Sequence, residues 1–184
     1  MPLSQDEAAS ALMEIERTGS YTRELQSYAG AAPHFVIWGL VWMFGYAMTE
    51  FFPDYRNLFW GGGIVAGAAL SILFGRMSGS TGEAGGHNPW RYAAISGGIA
   101  MFFGLTSVIL KLDARGIDAF IPLMFAGMYM LAGLFGGSRF VICGAVLAIA
   151  TTIGYFNAGE HFGLWMAALG GGILLLTGFW LRRV

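Results

Sequence analysis

Apolar residues run along this chain in long stretches separated by short polar ones. Six stretches are long enough to cross a bilayer, at 34–52, 57–75, 90–110, 119–137, 139–158 and 161–181. A transmembrane helix needs roughly 20 apolar residues to cover about 30 Å at about 1.5 Å per residue. YAAISGGIAMFFGLTSVIL (92–110) and FGLWMAALGGGILLLTGFWL (162–181) carry no charge at all, and only Glu50 edges into a stretch, near its end. Helices of a soluble core would keep polar faces that these stretches lack. The expected fold is all-α: a polytopic membrane protein with six transmembrane helices.

Glycine-bearing words recur within this pattern. FVIWG (35–39) opens the first stretch and FVICG (140–144) opens the fifth; GGGI follows each, at 61–64 and 170–173. The even-numbered stretches also end alike, in LFGR (73–76), GGSR (136–139) and LRRV (181–184), and AAISG (93–97) is a weaker middle copy. The implied unit is a two-helix hairpin used three times. A unit of two spans returns the chain to its starting side, so the copies are parallel repeats about an axis along the membrane normal. A three-plus-three division competes, because Gly39 and Gly45 share a spacing with Gly127 and Gly133. Hairpins account for two words rather than one. Lipid gives helices no hydrophobic reason to associate, and small residues let their backbones approach. Gly39, Gly62, Gly97, Gly127, Gly144 and Gly171 are therefore the expected helix-packing positions.

The first 32 residues read differently, as a cytoplasmic amphipathic helical segment (1–32) ahead of the six-helix bundle (33–184). SQDE (4–7) fits a capping box, with Ser4 as N-cap and Glu7 three positions on. Ala8, Leu12 and Ile15 then share one helical face, with Glu14, Glu16 and Arg17 off it. TGS (18–20) is expected to weaken or break the helix. A second piece, with Leu25 and Tyr28, leads to Pro33 at the start of the first span. This segment either packs on its own bundle or bilayer, or docks a protein partner or another copy. It opens with acids rather than a basic region and an apolar core, so no signal peptide is expected.

Composition agrees with a membrane class. Charged residues make up 11% of the 184 positions, against about 25% in soluble domains. A net charge of −1 speaks against nucleic-acid partners. Six spans put both termini on one side. That side holds Arg17, Arg23, Arg76, Arg91, Arg139, Arg182 and Arg183, whereas Arg56, Lys111 and Arg115 lie on the other. This asymmetry predicts cytoplasmic N- and C-termini. The segment MSGSTGEAGGHN (77–88) reads as an inner linker, with Asn88 and Pro89 as N-cap and N1 of the third span.

Candidate chemistry is sparse. The single cysteine, Cys143, excludes an intramolecular disulfide and a Cys-based zinc site. His34, His87 and His161 fall in separate places and cannot share a haem. Glu50, Asp113, Asp118, Glu160 and His161 gather on the predicted outer side. They form a candidate acidic mouth that could attract cations or respond to pH, although helix-start capping accounts for the same residue types. No charge lies at mid-membrane, which argues against proton relays and voltage sensing. Neutral groups such as Tyr46, Thr151, Thr152 and Thr177 could line a path for small solutes, or bond to helix carbonyls instead. No catalytic residue set, metal site or cofactor is expected, and the chain is not read as an enzyme.

In span number, length and glycine-punctuated hairpins, the core resembles small bacterial six-span inner-membrane proteins, and in style the acid-resistance membrane protein family. Small urea or amide channels and acetate transporters share the size and span count. The resemblance covers the six-span core, rests on architecture, and carries over no functional residue. Two functions are expected from these readings: a non-enzymatic scaffold, partner-binding or stress-response protein, or a channel or transporter for a small neutral or weakly acidic solute. The expected partners are the lipid bilayer, further copies of the chain in a homo-oligomer, and a protein at the N-terminal helix.

Overall fold

The computed structural model describes residues 5–77 and 89–183, with side chains from residue 11 on except those of 76, 89–93, 95 and 96. The elements are α1 (Gln5–Phe51), α2 (Arg56–Met77), α3 (Pro89–Ile109), α4 (Ala114–Gly136), α5 (Ser138–Asn157), α6 (Phe162–Trp165) and α7 (Gly172–Leu181). A π-helical segment, Met166–Gly171, joins α6 to α7, so that Gly159–Leu181 forms one last span. Five stretches are long and apolar enough to cross a membrane: Ala11–Phe51, Pro53–Gly75, Ala114–Gly136, Ser138–Asn157 and Gly159–Leu181. The chain is an all-α, multi-pass membrane protein. The stretch expected at 90–110 forms α3, whose described apolar part, Gly97–Ile109, is shorter than a full span. Ser4, Glu83, His87 and Asn88, and with them the expected N-caps, lie outside the described residues.

One expectation about α1 is overturned. TGS does not break it, and Pro33 does not start it; the helix runs unbroken through both. Polar side chains in this region bond back to the helix itself. Ser20 Oγ donates to the Arg17 carbonyl at 2.8 Å, Thr22 Oγ1 to Thr18 at 2.9 Å, and Arg23 Nε to Gly19 at 3.1 Å. These bonds serve the backbone locally, and a single interior glycine costs only about 1 kcal/mol. Pro33 removes one N–H, but a buried stripe that passes beside it, through Ala32 and Phe35, packs the helix on both sides of that loss. The stripe is Tyr28, Ala32, Phe35, Gly39, Trp42 and Tyr46, spaced alternately by four and three. This is the knobs-into-holes spacing of a packed helix. It starts at Tyr28, six positions before the expected span at 34.

α1 is the central element, packing against α2, α4 and the last span, while α4 and α5 form a second close pair. The corner between α4 and α5 is a single residue, Gly137, at φ 111°. A side chain there would meet both the conformation that L residues avoid and the Tyr28 and Glu24 side chains. Trp165 pins the last span to α5, its Nε1 donating to the Ala150 carbonyl at 2.9 Å. α3 touches the rest through Phe103, whose ring stacks on Phe120 at 5.3 Å.

Three of the expected glycines sit at tight crossings. A Cβ built at Gly39 would lie 2.9 Å from the Leu175 nitrogen and 3.0 Å from the Gly171 carbonyl oxygen. One built at Gly171 would lie 2.9 Å from both the Gly39 carbonyl oxygen and the Met43 nitrogen, so the two positions define one crossing of α1 on the last span. Gly144 makes the same kind of approach to α4, against the Ala126 carbonyl and, at 3.0 Å, the Met130 nitrogen. The other three correct the expectation. A Cβ at Gly62, Gly97 or Gly127 would meet nothing within 4 Å, because these positions face away from the helices that pack here. Close approaches are made instead by glycines outside those six. Gly178 approaches Ala32 and Val36, Gly133 approaches Val141, and Gly67 approaches Val41.

Candidate functional site

The ends of the helices bring charged side chains together at two rims. At one rim α1 ends, α2 begins, α4 begins, α5 ends and the last span begins. Each helix start or end exposes unpaired backbone groups, and polar residues are placed there to serve them. Asp113 is the N-cap of α4 and accepts from the Gly116 N–H at 2.7 Å. Asp118, one turn further, pairs with Arg56 at the start of α2, both side chains being largely covered. Tyr46, fully buried on α1, donates its hydroxyl to the Asp118 carbonyl at 2.7 Å. Three helices thus meet at one point. Beside it, Glu50 on α1 lies 3.2 Å from His161 Nδ1, and the absence of a side chain on Gly163 leaves room for the Glu50 carboxylate. Arg115 donates to the Tyr155 carbonyl and lies over the rings of Tyr155 and Phe162, at 5.2 and 5.9 Å.

The five residues of the candidate acidic mouth therefore share a rim, but they do not converge on one point. Asp113 serves a backbone N–H, Asp118 faces Arg56, Glu50 faces His161, and Glu160 is exposed in the short turn Gly159–His161. Among the described residues no three His, Cys, Asp or Glu side chains stand close enough to hold a metal ion. The Arg56–Asp118 pair ties α2 to α4, and the Glu50–His161 contact ties α1 to the last span. Arg56 and Arg115 are what the sequence reading overlooked. By position in the sequence they are loop charges, yet an arginine within a turn of a helix start beside an acidic helix start is a ready tie.

Three hydroxyls on the helices bond back to their own backbone, whereas Trp60 Nε1 and Ser71 Oγ on α2 are buried with no hydrogen-bond partner among the described residues. Thr151 Oγ1 donates to Leu147, Thr152 Oγ1 to Ala148 and Ser107 Oγ to Phe103, each to the carbonyl four residues back. Cys143 and Thr177 are buried where α5 meets α7.

The opposite rim is built around Tyr28. Its ring packs on Phe140 at 5.4 Å, and its hydroxyl donates to Glu24 and accepts from the Arg139 N–H at 3.2 Å. Arg139 lies over the rings of Tyr28 and Trp180, at 5.1 and 4.9 Å, and donates through Nη1 to the Trp180 carbonyl at 2.8 Å. Beyond this rim α1 continues with Leu12, Met13, Ile15 and Tyr21 exposed. No family model, no curated protein and no solved structure matches this chain.

Proposed function

We propose that this protein is a non-enzymatic membrane scaffold whose first helix carries a binding segment beyond the bilayer. One observation carries the reading: α1 is a single helix of 47 residues. At about 1.5 Å per residue it is roughly 70 Å long, about twice the hydrocarbon thickness of a bilayer. Its second half is gripped by the bundle and its first half projects with apolar side chains in the open. A helix clamped at one end presents those side chains at a fixed height and direction, which favours docking over a tail that folds back on the bilayer. The bonding of the Thr151, Thr152 and Ser107 hydroxyls to carbonyls of their own helices supports the scaffold over the channel, since these groups are already engaged. A role in stress response rests on the resemblance in architecture alone.

In this reading the bundle has six spans built as three hairpins, lies in a bacterial inner membrane with both termini cytoplasmic, and assembles with further copies. The register of two crossings supports the repeat. Gly39 meets the carbonyl of residue 171 and the nitrogen of residue 175; Gly144 meets the carbonyl of residue 126 and the nitrogen of residue 130. Each is the glycine that ends the FVI-x-G word, and each packs on the second helix of the preceding hairpin, counted cyclically. The excess of arginine at the Tyr28 rim supports the orientation. The open glycines on α2 and α3 support contacts with further copies.

Two measurements test this. Full-length protein in liposomes should show no flux of small neutral solutes or protons above empty vesicles, and a flux would favour the channel instead. Removal of residues 1–23 should leave the thermal stability of the bundle intact while removing proteins co-purified with the full chain. An unchanged set of co-purified proteins would sink the docking role of α1.

A further inference from the structure

We propose that the Tyr28 rim holds an anionic phospholipid, its acyl chain in a groove between α5 and α7 and its phosphate on the terminal arginines. The groove has a volume of about 300 Å³ and is lined by Ile142, Val146, Ile173, Leu176 and Trp180, among others. Leu176 and Trp180 also line a smaller hollow that reaches Phe179 and Arg183. Leu176 and Trp180 thus stand between the groove and a second hollow that ends at a cation. Two more cations stand at the same end: Arg182 follows α7, and Arg139 is fixed against the Trp180 ring and carbonyl.

None of these three arginines has an acidic partner among the described residues. Among the described residues, the ion pairs are Arg56 with Asp118 and His161 with Glu50, both at the other rim. Glu24, the acid on the adjoining face of α1, is engaged by the Tyr28 hydroxyl. Uncompensated arginine beside an apolar groove at the end of a membrane helix complements a molecule with an acyl chain and a phosphate. Basic pockets at such a rim bind anionic head groups. The aromatic rings of Trp180 and Tyr28 sit at the same level, where amphipathic rings favour the head-group region. A free phosphate would match the arginines but leave the groove empty, and a zwitterionic lipid would match the groove but bring its own cation to the arginines.

The experiment uses the full chain in detergent, with phosphatidylglycerol or phosphatidylcholine added and retained lipid read by native mass spectrometry. Phosphatidylglycerol should be retained about tenfold more than phosphatidylcholine. The double variant R182Q/R183Q should lose that preference, because both side chains are exposed and their loss leaves the fold alone. Val146→Trp should fill the groove and reduce retention of both lipids. Equal retention of the two lipids would overturn the proposal. So would undiminished preference in R182Q/R183Q, equal displacement of the lipid by inorganic phosphate alone, or a second copy of the chain retained in place of lipid. If Val146→Trp does not fold, the arginine variant decides by itself.

Discussion

Adding a single methyl group at Gly171 tests the crossing on which the bundle depends. In Gly171→Ala the new Cβ would stand 2.9 Å from the Gly39 carbonyl oxygen and 2.9 Å from the Met43 nitrogen. Both are backbone atoms, so no rotamer change relieves the contact, and α1 must move away from the last span by several tenths of an ångström. That movement also loosens the pairs Gly39–Leu175 and Gly178–Val36 along the same interface. Overpacking of this kind costs about 1–3 kcal/mol. It opposes a gain of about 1 kcal/mol for replacing glycine by alanine in a helix. Gly171→Leu adds carbons with no space to enter and belongs at the upper end of the range, roughly 2–3 kcal/mol. For a chain of this size that lowers Tm by about 4–12 °C. Gly62→Leu is the control, since a Cβ there meets nothing within 4 Å, and its effect should stay within about 0.5 kcal/mol. The assay is thermal unfolding of all three purified variants in one detergent. An unchanged Tm for Gly171→Leu, or an equal fall for Gly62→Leu, would sink the assignment of Gly171 to a close approach.

Three further outcomes follow from the rims and corners. Arg56→Gln leaves the Asp118 carboxylate covered and unpaired and should cost about 1–3 kcal/mol; R56Q/D118N, which removes both charges, should be the more stable of the two by the same thermal assay. Gly137→Ala forces an L residue to φ 111° against Tyr28; about 1–3 kcal/mol of strain should lower Tm, whereas Gly159→Ala, at φ 54° with open space around it, should lower it less. Trp165→Phe keeps the ring packing but removes the 2.9 Å bond to Ala150 and should cost about 1 kcal/mol in chemical unfolding.

The helices were legible in the sequence because lipid imposes a simple rule: a spanning segment must be apolar along its whole length and satisfy its backbone internally. The stretch expected at 57–75 is α2, Arg56–Met77, and that at 139–158 is α5, Ser138–Asn157. The acidic rim was legible as a set of residues on one side, because charges collect at helix ends. Its pairing was not, since Glu50 and His161 are 111 positions apart in the chain.

The N-terminal segment shows where reading by local signal fails. TGS and Pro33 are breakers by intrinsic preference, and that preference is weak enough for packing to override. Tyr28 is buried on Phe140 and holds Arg139, contacts between residues more than 100 positions apart. Those contacts extend the gripped part of α1 beyond the span that hydropathy marks. Sequence alone determined that this chain is helical, membrane-bound and rich in positions where backbones can approach. Only the tertiary structure decided which glycines are used. Gly39, Gly171 and Gly144 face a partner helix and Gly62, Gly97 and Gly127 do not. A glycine records that close approach is permitted, and the rotation of each helix about its own axis, set by the whole bundle, determines where it happens.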